Sequence, residues 1–456
     1  MLKFSELPSV TKGSWLVEPS EDTFIFGGQF DTRNIVDENV FFAWKGEQVD
    51  GHNYLSQLVG TSIKVAITEK NVSAPAGVAV LKTENSLEAL WNISKAIYSR
   101  FHGKTVAITG SSGKTTFKNW LSQALGEIKK TCFSSKNFNN HIGCPITLLK
   151  LCDDHDFLIL EMGTNHIGEI DFLSEMFPPD ISVILNIGHA HSGVIGGIEN
   201  IRLAKAEIAL HLKKSGKIFL PKNDEQLKQV IIEKFKKQGS SRQICLFPEY
   251  VCETHPQSPL EQEVFLAHPK LGELQFQTSA IGKYVGMNFS LIISIAEELG
   301  IQADKLLPCL HALKNESGRM SVEKGFNDTW IVNDAYNANP ESVAHLVDIL
   351  SDWKGNKKIL VLGDLAELAE DYEKSSSIIA HGLRDKSIEL IVIKGGTAEK
   401  IATELIKSGE QSVTFMESEE QVLNYCRDVS KEGNIIAIKG SNSSQIYRLV
   451  PQLLEK

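Results

Sequence analysis

Lys114 and Thr115 lie in the run Thr109-Gly110-Ser111-Ser112-Gly113-Lys114-Thr115-Thr116, whose residue types can hold the phosphates of a nucleotide. Gly110 and Gly113 let the backbone turn its N–H groups inward, and a helix starting there adds partial positive charge, so the loop forms a cradle for phosphate oxygens. Lys114 can neutralise terminal phosphates, and the Thr115 hydroxyl can ligate magnesium. One residue departs from the usual phosphate-loop pattern: its first glycine falls where this chain has Ile108. Further on, Glu161 follows the apolar residues Phe157 to Leu160, which puts a carboxylate at the C-terminal end of a buried strand and makes it a candidate magnesium ligand. His189 and His191 follow a third apolar run, Ile181 to Ile187, in a glycine-containing loop. They are either surface residues or ligands, and their place after a strand end keeps the ligand reading open. Three strand ends converging on one place is the argument for a site.

The elements that must position these groups are legible from periodicity. Val106 to Ile108 reads as a strand, and Phe117, Trp120, Leu121, Ala124 and Leu125 recur at helical spacing after the loop. Before it, Phe24 to Gly28, Val40 to Ala43 and Val65 to Thr68 read as strands of a small α/β module, and Asn85 to Tyr98 as a helix leading out of it. Two polar clusters in that module, Asp31-Thr32-Arg33 and Lys45-Gly46-Glu47 with Asp50-Gly51-His52, read on pattern alone as solvated turns. The amide-rich run Asn137 to Gly143 is either a surface loop or a polar binding site, since such groups need partners if buried. A helix is expected from Ile201 to Lys213 with Leu203, Ala206, Ala209 and Leu210 on one side; Lys205, in its apolar setting, reads by itself as a snorkelling lysine. Lys217 to Leu220 reads as a strand and Asp224 to Lys237 as a charged surface helix, followed by an uninformative stretch to about residue 278 and an amphipathic helix ending at Gly300. From about residue 313, the apolar runs Ile331-Val332, Lys358 to Leu362, Leu390 to Ile393, Val413 to Phe415 and Ile435 to Ile438 alternate with helical patterns, which reads as a parallel sheet covered by helices.

The 456 residues are too many for one ordinary core and suggest three domains, at 1–82, 83–312 and 313–456. Hydrophobic residues at 42% and charged residues at 23% are ordinary for a globular chain. A net charge of −10 argues against a nucleic-acid or anionic-membrane surface, so any phosphate binding must be local. The seven dispersed cysteines include no C-x-x-C pair and read as reduced thiols. The start lacks a basic region followed by an apolar run, and no apolar stretch reaches membrane-spanning length; a cytoplasmic protein without membrane insertion is expected.

Taken together, the motifs resemble the Mur ligases, the ATP-dependent amide-forming enzymes of peptidoglycan precursor synthesis. The resemblance covers essentially the whole chain. It rests on Asp31-Thr32-Arg33, the Lys45-Gly46-Glu47 and Asp50-Gly51-His52 pair, the phosphate loop, N-N-x-I-G at 139–143, E-M-G-T-N-H-I-G-E-I at 161–170, A-K-A-E at 204–207, G-R-M at 318–320, D-A-Y-N-A-N-P-E-S at 334–342 and G-D-L-x-E-L at 363–368, in that order. The Y-N-A-N-P and N-H-x-G-E stretches point within the family to the branch that joins D-alanyl-D-alanine to UDP-N-acetylmuramoyl-tripeptide.

The resemblance implies an α/β protein of three domains: a small N-terminal UDP-sugar domain, a central phosphate-loop NTPase-like parallel sheet and a C-terminal Rossmann-like domain. It implies that Thr32, Arg33, Lys45 and Gly46 hold the UDP-sugar. Thr109, Gly110, Ser111, Ser112, Gly113, Lys114, Thr115 and Thr116 would bind ATP, with Asn288, Arg319 and Asp334 also on the nucleotide side. Thr115 and Glu161 would hold one magnesium ion, and His191 with carbamylated Lys205 a second. Lys114, Glu161, His191 and Lys205 would form the catalytic set. Asn139, Asn140, Asn165 and His166 would line the peptide channel, and Tyr336, Asn337 and Asn339 would bring the third domain to the substrate. ATP would phosphorylate the tripeptide carboxylate, and the D-alanyl-D-alanine amine would attack the acyl phosphate in a domain-closed monomer. No nucleic acid enters the reaction. Tyr284 and Val285 stand where the family usually has His-Asn, and Asn442 where an arginine is usual. The alternatives are a sister ligase adding a single amino acid, a folylpolyglutamate-type ligase, and a phosphate-loop ATPase switch.

Overall fold

The computed structural model describes residues 1–135, 137–188, 195–238, 242–248, 252–365, 372–383, 387–409 and 412–454. The chain first builds a five-stranded sheet in the order Ser14–Val17, Ala79–Lys82, Val65–Thr68, Val40–Phe42, Gly28–Gln29, parallel except for the first strand. The strand expected over 24–28 is reduced to Gly28–Gln29. Gly27 turns the backbone at φ +80°, Phe24 pairs only singly with Lys3, and Phe24 and Phe26 stay exposed. The helix Ser86–Ser99 starts at Asn85, whose Oδ1 accepts from Leu87 N and Glu88 N, and it buries Ala89, Leu90, Ile93 and Ile97.

The central sheet has six strands, all parallel, in the order Gln243–Phe247, Lys217–Pro221, Ile181–Ile184, Lys104–Thr109, Phe157–Glu161, Thr131–Phe133. Lys104–Thr109 is flanked by Phe157–Glu161 and Ile181–Ile184, with Ile108 opposite both Glu161 and Val183. The three strand ends singled out in the sequence are therefore neighbours, at the place where the strand order reverses direction. Helix Lys114–Gly126 buries Phe117, Trp120, Leu121, Ala124 and Leu125 against this sheet.

The helix expected over 201–213 is Ile198–Lys205, followed by a tighter 3-10 turn at Ala206–Ala209. Its packed side carries Ile201, Ala204 and Lys205, while Leu203, two residues from both Ile201 and Lys205 and so on the opposite side of the helix, is exposed. The stretch to residue 278 also holds a three-stranded antiparallel sheet, Cys252–Ser258, Glu261–His268 and Gly272–Thr278. Its inner residues Val264, Leu266 and Phe276 reach the helix Val285–Glu298, where Phe276 stacks on Phe289 with ring centroids 5.7 Å apart.

A last sheet follows the order Ser321–Lys324, Trp330–Asp334, Ile435–Lys439, Lys358–Leu362, Ile388–Ile393, Val413–Met416. It is parallel apart from the antiparallel edge strand Ser321–Lys324. Helices Pro340–Asp352, Tyr372–Leu383, Thr397–Lys407 and Glu419–Asp428 lie between its strands in the chain, as the alternation predicts. All seven cysteines are free. Among the described residues, no helix is long and apolar enough to cross a membrane.

Candidate active site

Strand Lys104–Thr109 runs directly into the phosphate loop. Ile108 is fully buried within the strand, so the position that is glycine in the usual pattern belongs here to the sheet. Gly113 adopts φ +77° at the start of helix Lys114–Gly126, and no side chain caps that helix end. Its first N–H groups are thus oriented for an anion. Gly110 is required by close approach: a Cβ there would lie 3.0 Å from Leu185 Cβ and 3.4 Å from Asn186 N. Lys114 Nζ donates to Gly110 O at 2.7 Å, across its own loop.

Asn186 is a residue whose task the sequence did not disclose. Its backbone O accepts from Ser111 N at 3.1 Å, its Oδ1 from Ser112 N at 2.9 Å, and its Nδ2 donates to Ser112 O at 3.0 Å. Ser111 Oγ accepts from Gly188 N at 2.8 Å. The segment after strand Ile181–Ile184 thus wraps the phosphate loop and fixes its shape. The available signal was an amide immediately after an apolar run, beside the glycine of a ligand-type loop.

Glu161 ends its strand with a buried carboxylate. Oε1 accepts from Asn139 Nδ2 at 2.9 Å, and Oε2 is buried with no hydrogen-bond partner among the described residues. Thr115 is buried, and so is Thr109, whose Oγ1 has no hydrogen-bond partner among the described residues. A carboxylate oxygen at one strand end, a hydroxyl at the end of the adjoining strand and a hydroxyl at the start of the helix that follows are oxygen donors of the kind that suits a hard divalent cation. Lys118, fully buried one turn along the helix, donates to Ser134 O, and the Glu161 charge opposes the downward pull of burial on its pKa.

Lys205 does not snorkel. It is 1% exposed, and no described residue accepts a hydrogen bond from its ammonium group. Burial, and then the charge of Lys114, push its pKa well below the ordinary lysine range. The helix turns Leu203 outward and Lys205 inward, where the charge of Lys114 acts on it and no carboxylate among the described residues pairs with it. His191, together with His189, lies outside the described residues, as do residues 366–368 of the G-D-L-x-E-L motif.

The polar loops flank this centre. Asn140 Oδ1 accepts from Ile142 N at 3.1 Å and Gly143 N at 2.9 Å, so its side chain holds the entry to helix Gly143–Leu148. A Cβ at Gly163 would lie 2.8 Å from Asn139 Cγ, which packs that amide against the strand end. Asn165 and His166 are exposed on a loop whose N–H groups bind Glu169 Oε2, at 2.6 and 3.0 Å.

From the C-terminal sheet, Asp334 pairs with buried Lys439 at 2.6 Å and accepts from Met320 N at 3.1 Å. Lys439 also donates to Asn337 O at 3.1 Å, so a lysine not among the expected site residues holds two that are. The Arg319 guanidinium stacks over Tyr336 at 4.0 Å. Asn337 is exposed, whereas Asn339 caps helix Pro340–Asp352 and its Nδ2 donates to Ser112 Oγ at 3.2 Å. That bond joins the C-terminal sheet to the phosphate loop. Thr116 is half-buried beside it. Asn288 is half-buried in helix Val285–Glu298, one turn after Tyr284, whose hydroxyl meets His345 Nε2 at 2.7 Å.

The N-terminal loops stand on the rim of the first sheet. Asp31 and Asp50 each start a 3-10 helix by accepting the N–H two residues on, from Arg33 and His52 respectively. Thr32 Oγ1 donates to Gln57 Oε1 at 2.6 Å, and Arg33, 85% exposed at its side chain, pairs with Asp31 at 2.7 Å. Lys45 and Gly46 are exposed. Phe30 stacks on Trp44 with centroids 5.4 Å apart, which brings the loop of Thr32 and Arg33 beside that of Lys45 and Gly46.

Comparison with known families decides what this assembly belongs to. The Mur ligase middle domain matches residues 108–296, and the Mur ligase glutamate ligase domain matches residues 318–442. The chain belongs to the Mur ligases. Among curated relatives of this Mur ligase, the UDP-N-acetylmuramoyl-tripeptide--D-alanyl-D-alanine ligase of Bacillus subtilis is 29% identical over 457 residues, covering 98% of this chain and 97% of the relative. The enzyme of that name from Haemophilus influenzae is 27% identical, covering 93% of each chain. Among solved structures, MurF from Acinetobacter baumannii superposes with a TM-score of 0.84 at 26% identity, over 99% of this Mur ligase and 98% of that chain. The three-domain fold expected from the motifs is the fold of these neighbours.

Proposed function

We propose that this Mur ligase forms the amide bond between UDP-N-acetylmuramoyl-tripeptide and D-alanyl-D-alanine, converting ATP to ADP and phosphate. The observation that carries the chemistry is a phosphate loop with an uncapped helix start, together with the buried carboxylate of Glu161, one oxygen of which has no partner among the described residues, and the buried Lys205. Near full-length similarity to ligases of that name supports the choice of substrates.

A carboxylate is a poor acyl donor, so the reaction runs in two steps. A carboxylate oxygen of the tripeptide attacks the terminal phosphorus of ATP, and the bond to the bridging oxygen breaks to release ADP. The amine of D-alanyl-D-alanine then attacks the acyl carbon, phosphate leaves with the original carboxylate oxygen, and the amine loses a proton. Residues Thr109 to Thr116 hold the phosphates, with Lys114 stabilising charge on the transferring group. Asn288, Arg319 and Asp334 complete the nucleotide side.

Magnesium, when bound, supplies charge neutralisation at the phosphoryl oxygens. Thr115 and Glu161 would hold one ion, and His191 with Lys205 a second. The depressed basicity of Lys205 favours the neutral amine, which is the form that adds to carbon dioxide with loss of a proton to give an anionic carbamate. That change turns an amine into an anionic oxygen ligand. Asn139, Asn140, Asn165 and His166 line the peptide channel; Tyr336, Asn337 and Asn339 present the third domain; and Thr32, Arg33, Lys45 and Gly46 hold the UDP-sugar. We assign these roles to three domains, 1–82, 83–312 and 313–456, that close over the acyl phosphate and exclude water, in a cytoplasmic monomer.

The test is phosphate release measured with each substrate omitted in turn. Release that requires both UDP-tripeptide and D-alanyl-D-alanine supports the ligase. Equal release without them points to an ATPase switch, the reading to which this would yield.

A further inference from the structure

Two carboxylates fix the loop from Thr164 to Gly168, one from the residue that follows it and one from elsewhere in the chain. Glu169 Oε2 accepts from Thr164 Oγ1 at 3.2 Å, Asn165 N at 2.6 Å and His166 N at 3.0 Å. The other is Glu207, two residues beyond Lys205. Glu207 is 5% exposed; its Oε1 accepts from Gly168 N at 2.8 Å and its Oε2 from Asp171 N at 3.2 Å. Helix Glu169–Met176 starts at Gly168, at φ +98°, a residue with no side chain to cap it. Glu207 therefore serves as that helix's N-terminal cap from across the fold.

The grip is reinforced from the same turn. His211 Nε2 meets Asp171 Oδ1 at 2.8 Å, and Ser174 Oγ donates to Glu207 O at 3.4 Å. A buried carboxylate is retained only where donors compensate its lost hydration, and here both of its oxygens are engaged by backbone N–H groups of the segment it holds. With those N–H groups engaged, Asn165, His166 and Ile167 all face outward, Ile167 being 55% exposed. The result is a short outward-facing row of polar, polar and apolar side chains on a fixed backbone.

We infer that Glu207 is a positioning residue that couples the turn carrying Lys205 to the Asn165–His166 loop and thereby sets the affinity for the tripeptide-bearing substrate. This rests on the proposed ligase reading. The 3-10 turn at Ala206–Ala209 follows Lys205 directly and carries Glu207, whose carboxylate reaches Gly168 N.

Glu207→Ala and Glu207→Gln are compared with the wild-type enzyme in steady-state assays that vary each substrate separately. The expected result is a KM for UDP-tripeptide raised about tenfold in Glu207→Ala and less in Glu207→Gln, which keeps one acceptor, with KM values for ATP and D-alanyl-D-alanine within about twofold. A double-mutant cycle should show non-additive effects of Glu207→Ala and Asn165→Ala on that KM. Unchanged tripeptide KM, or an equal rise for all three substrates, overturns the inference. If Glu207→Ala does not fold, calorimetric binding of UDP-tripeptide to Glu207→Gln decides it, unchanged affinity being the contrary result. A wild-type enzyme that needs neither the tripeptide nor the dipeptide would instead remove the underlying ligase reading.

Discussion

Asn139 Nδ2 lies 2.9 Å from Glu161 Oε1, and the other oxygen of that carboxylate is buried without a partner among the described residues. The amide orients one oxygen and leaves the second directed for a ligand. Asn139→Asp would set two carboxylates against each other. Its activity should fall at least about a hundredfold, whereas Asn139→Ala should lose about tenfold and need more magnesium. Titrating activity and Mn²⁺ binding by electron paramagnetic resonance in the two variants checks both statements; an aspartate variant as active as wild type would contradict them.

Lys205 should carry a carbamate. A wild-type sample under ¹³C-labelled carbon dioxide should show a carbamate carbon resonance that Lys205→Arg lacks. The arginine variant should fold normally and lose activity by a factor on the order of 10² or more. Short carboxylic acids should restore part of the activity of Lys205→Ala.

Asn186 holds Ser112 through both ends of its amide. Asn186→Ala should raise the KM for ATP about tenfold while leaving the KM for D-alanyl-D-alanine unchanged, because the loop loses its shape without losing Lys114 or Thr115. Asn186→Asp would turn a donor into an acceptor facing Ser112 O and should be worse than alanine.

Tyr98 fastens helix Ser86–Ser99 to the base of the strand that ends at the phosphate loop. Its hydroxyl donates to Pro178 O at 2.5 Å and meets Thr105 Oγ1 at 3.1 Å, and burial pushes its pKa up to about 12. Since the folded value lies above that of an exposed tyrosine, about 10, this contribution is fully present below pH 10 and is lost as pH rises from 10 to 12. The loss amounts to roughly 2 kcal/mol. Urea unfolding of Tyr98→Phe across that window should show a shallower decline than the wild type.

Much of the centre was legible because phosphate chemistry constrains sequence tightly. A strand, a glycine turn and Lys114-Thr115 can be recognised locally, and the apolar runs that end at Glu161 and before Asn186 imply neighbouring parallel strands. Side-chain direction within an irregular segment was not legible. Lys205 ends the helix Ile198–Lys205 two residues after Leu203, which in an α-helix puts the two on opposite sides, and only the packing shows that the lysine takes the buried side and the leucine the exposed one. Partners distant in the chain were equally hidden. Lys439 against Asp334 and Glu207 against Gly168 are 105 and 39 residues apart, and nothing in the spacing of either residue signals the other. The sheet Cys252–Thr278 is masked in the sequence by the polar residues of its outer face; the alternation at Gln262, Val264, Leu266 and His268 is its signal. Asp31 and Asp50 have the residue type and setting of turns, and the structure gives them that task, as starts of two 3-10 helices beside the expected sugar loops.

The path of oxygen tests the account most directly. With both oxygens of the tripeptide's terminal carboxylate labelled with ¹⁸O, the acyl-phosphate route predicts that each phosphate released in the presence of ATP and D-alanyl-D-alanine carries one ¹⁸O, read by mass spectrometry, while the amide product retains the other. Phosphate free of label would contradict it.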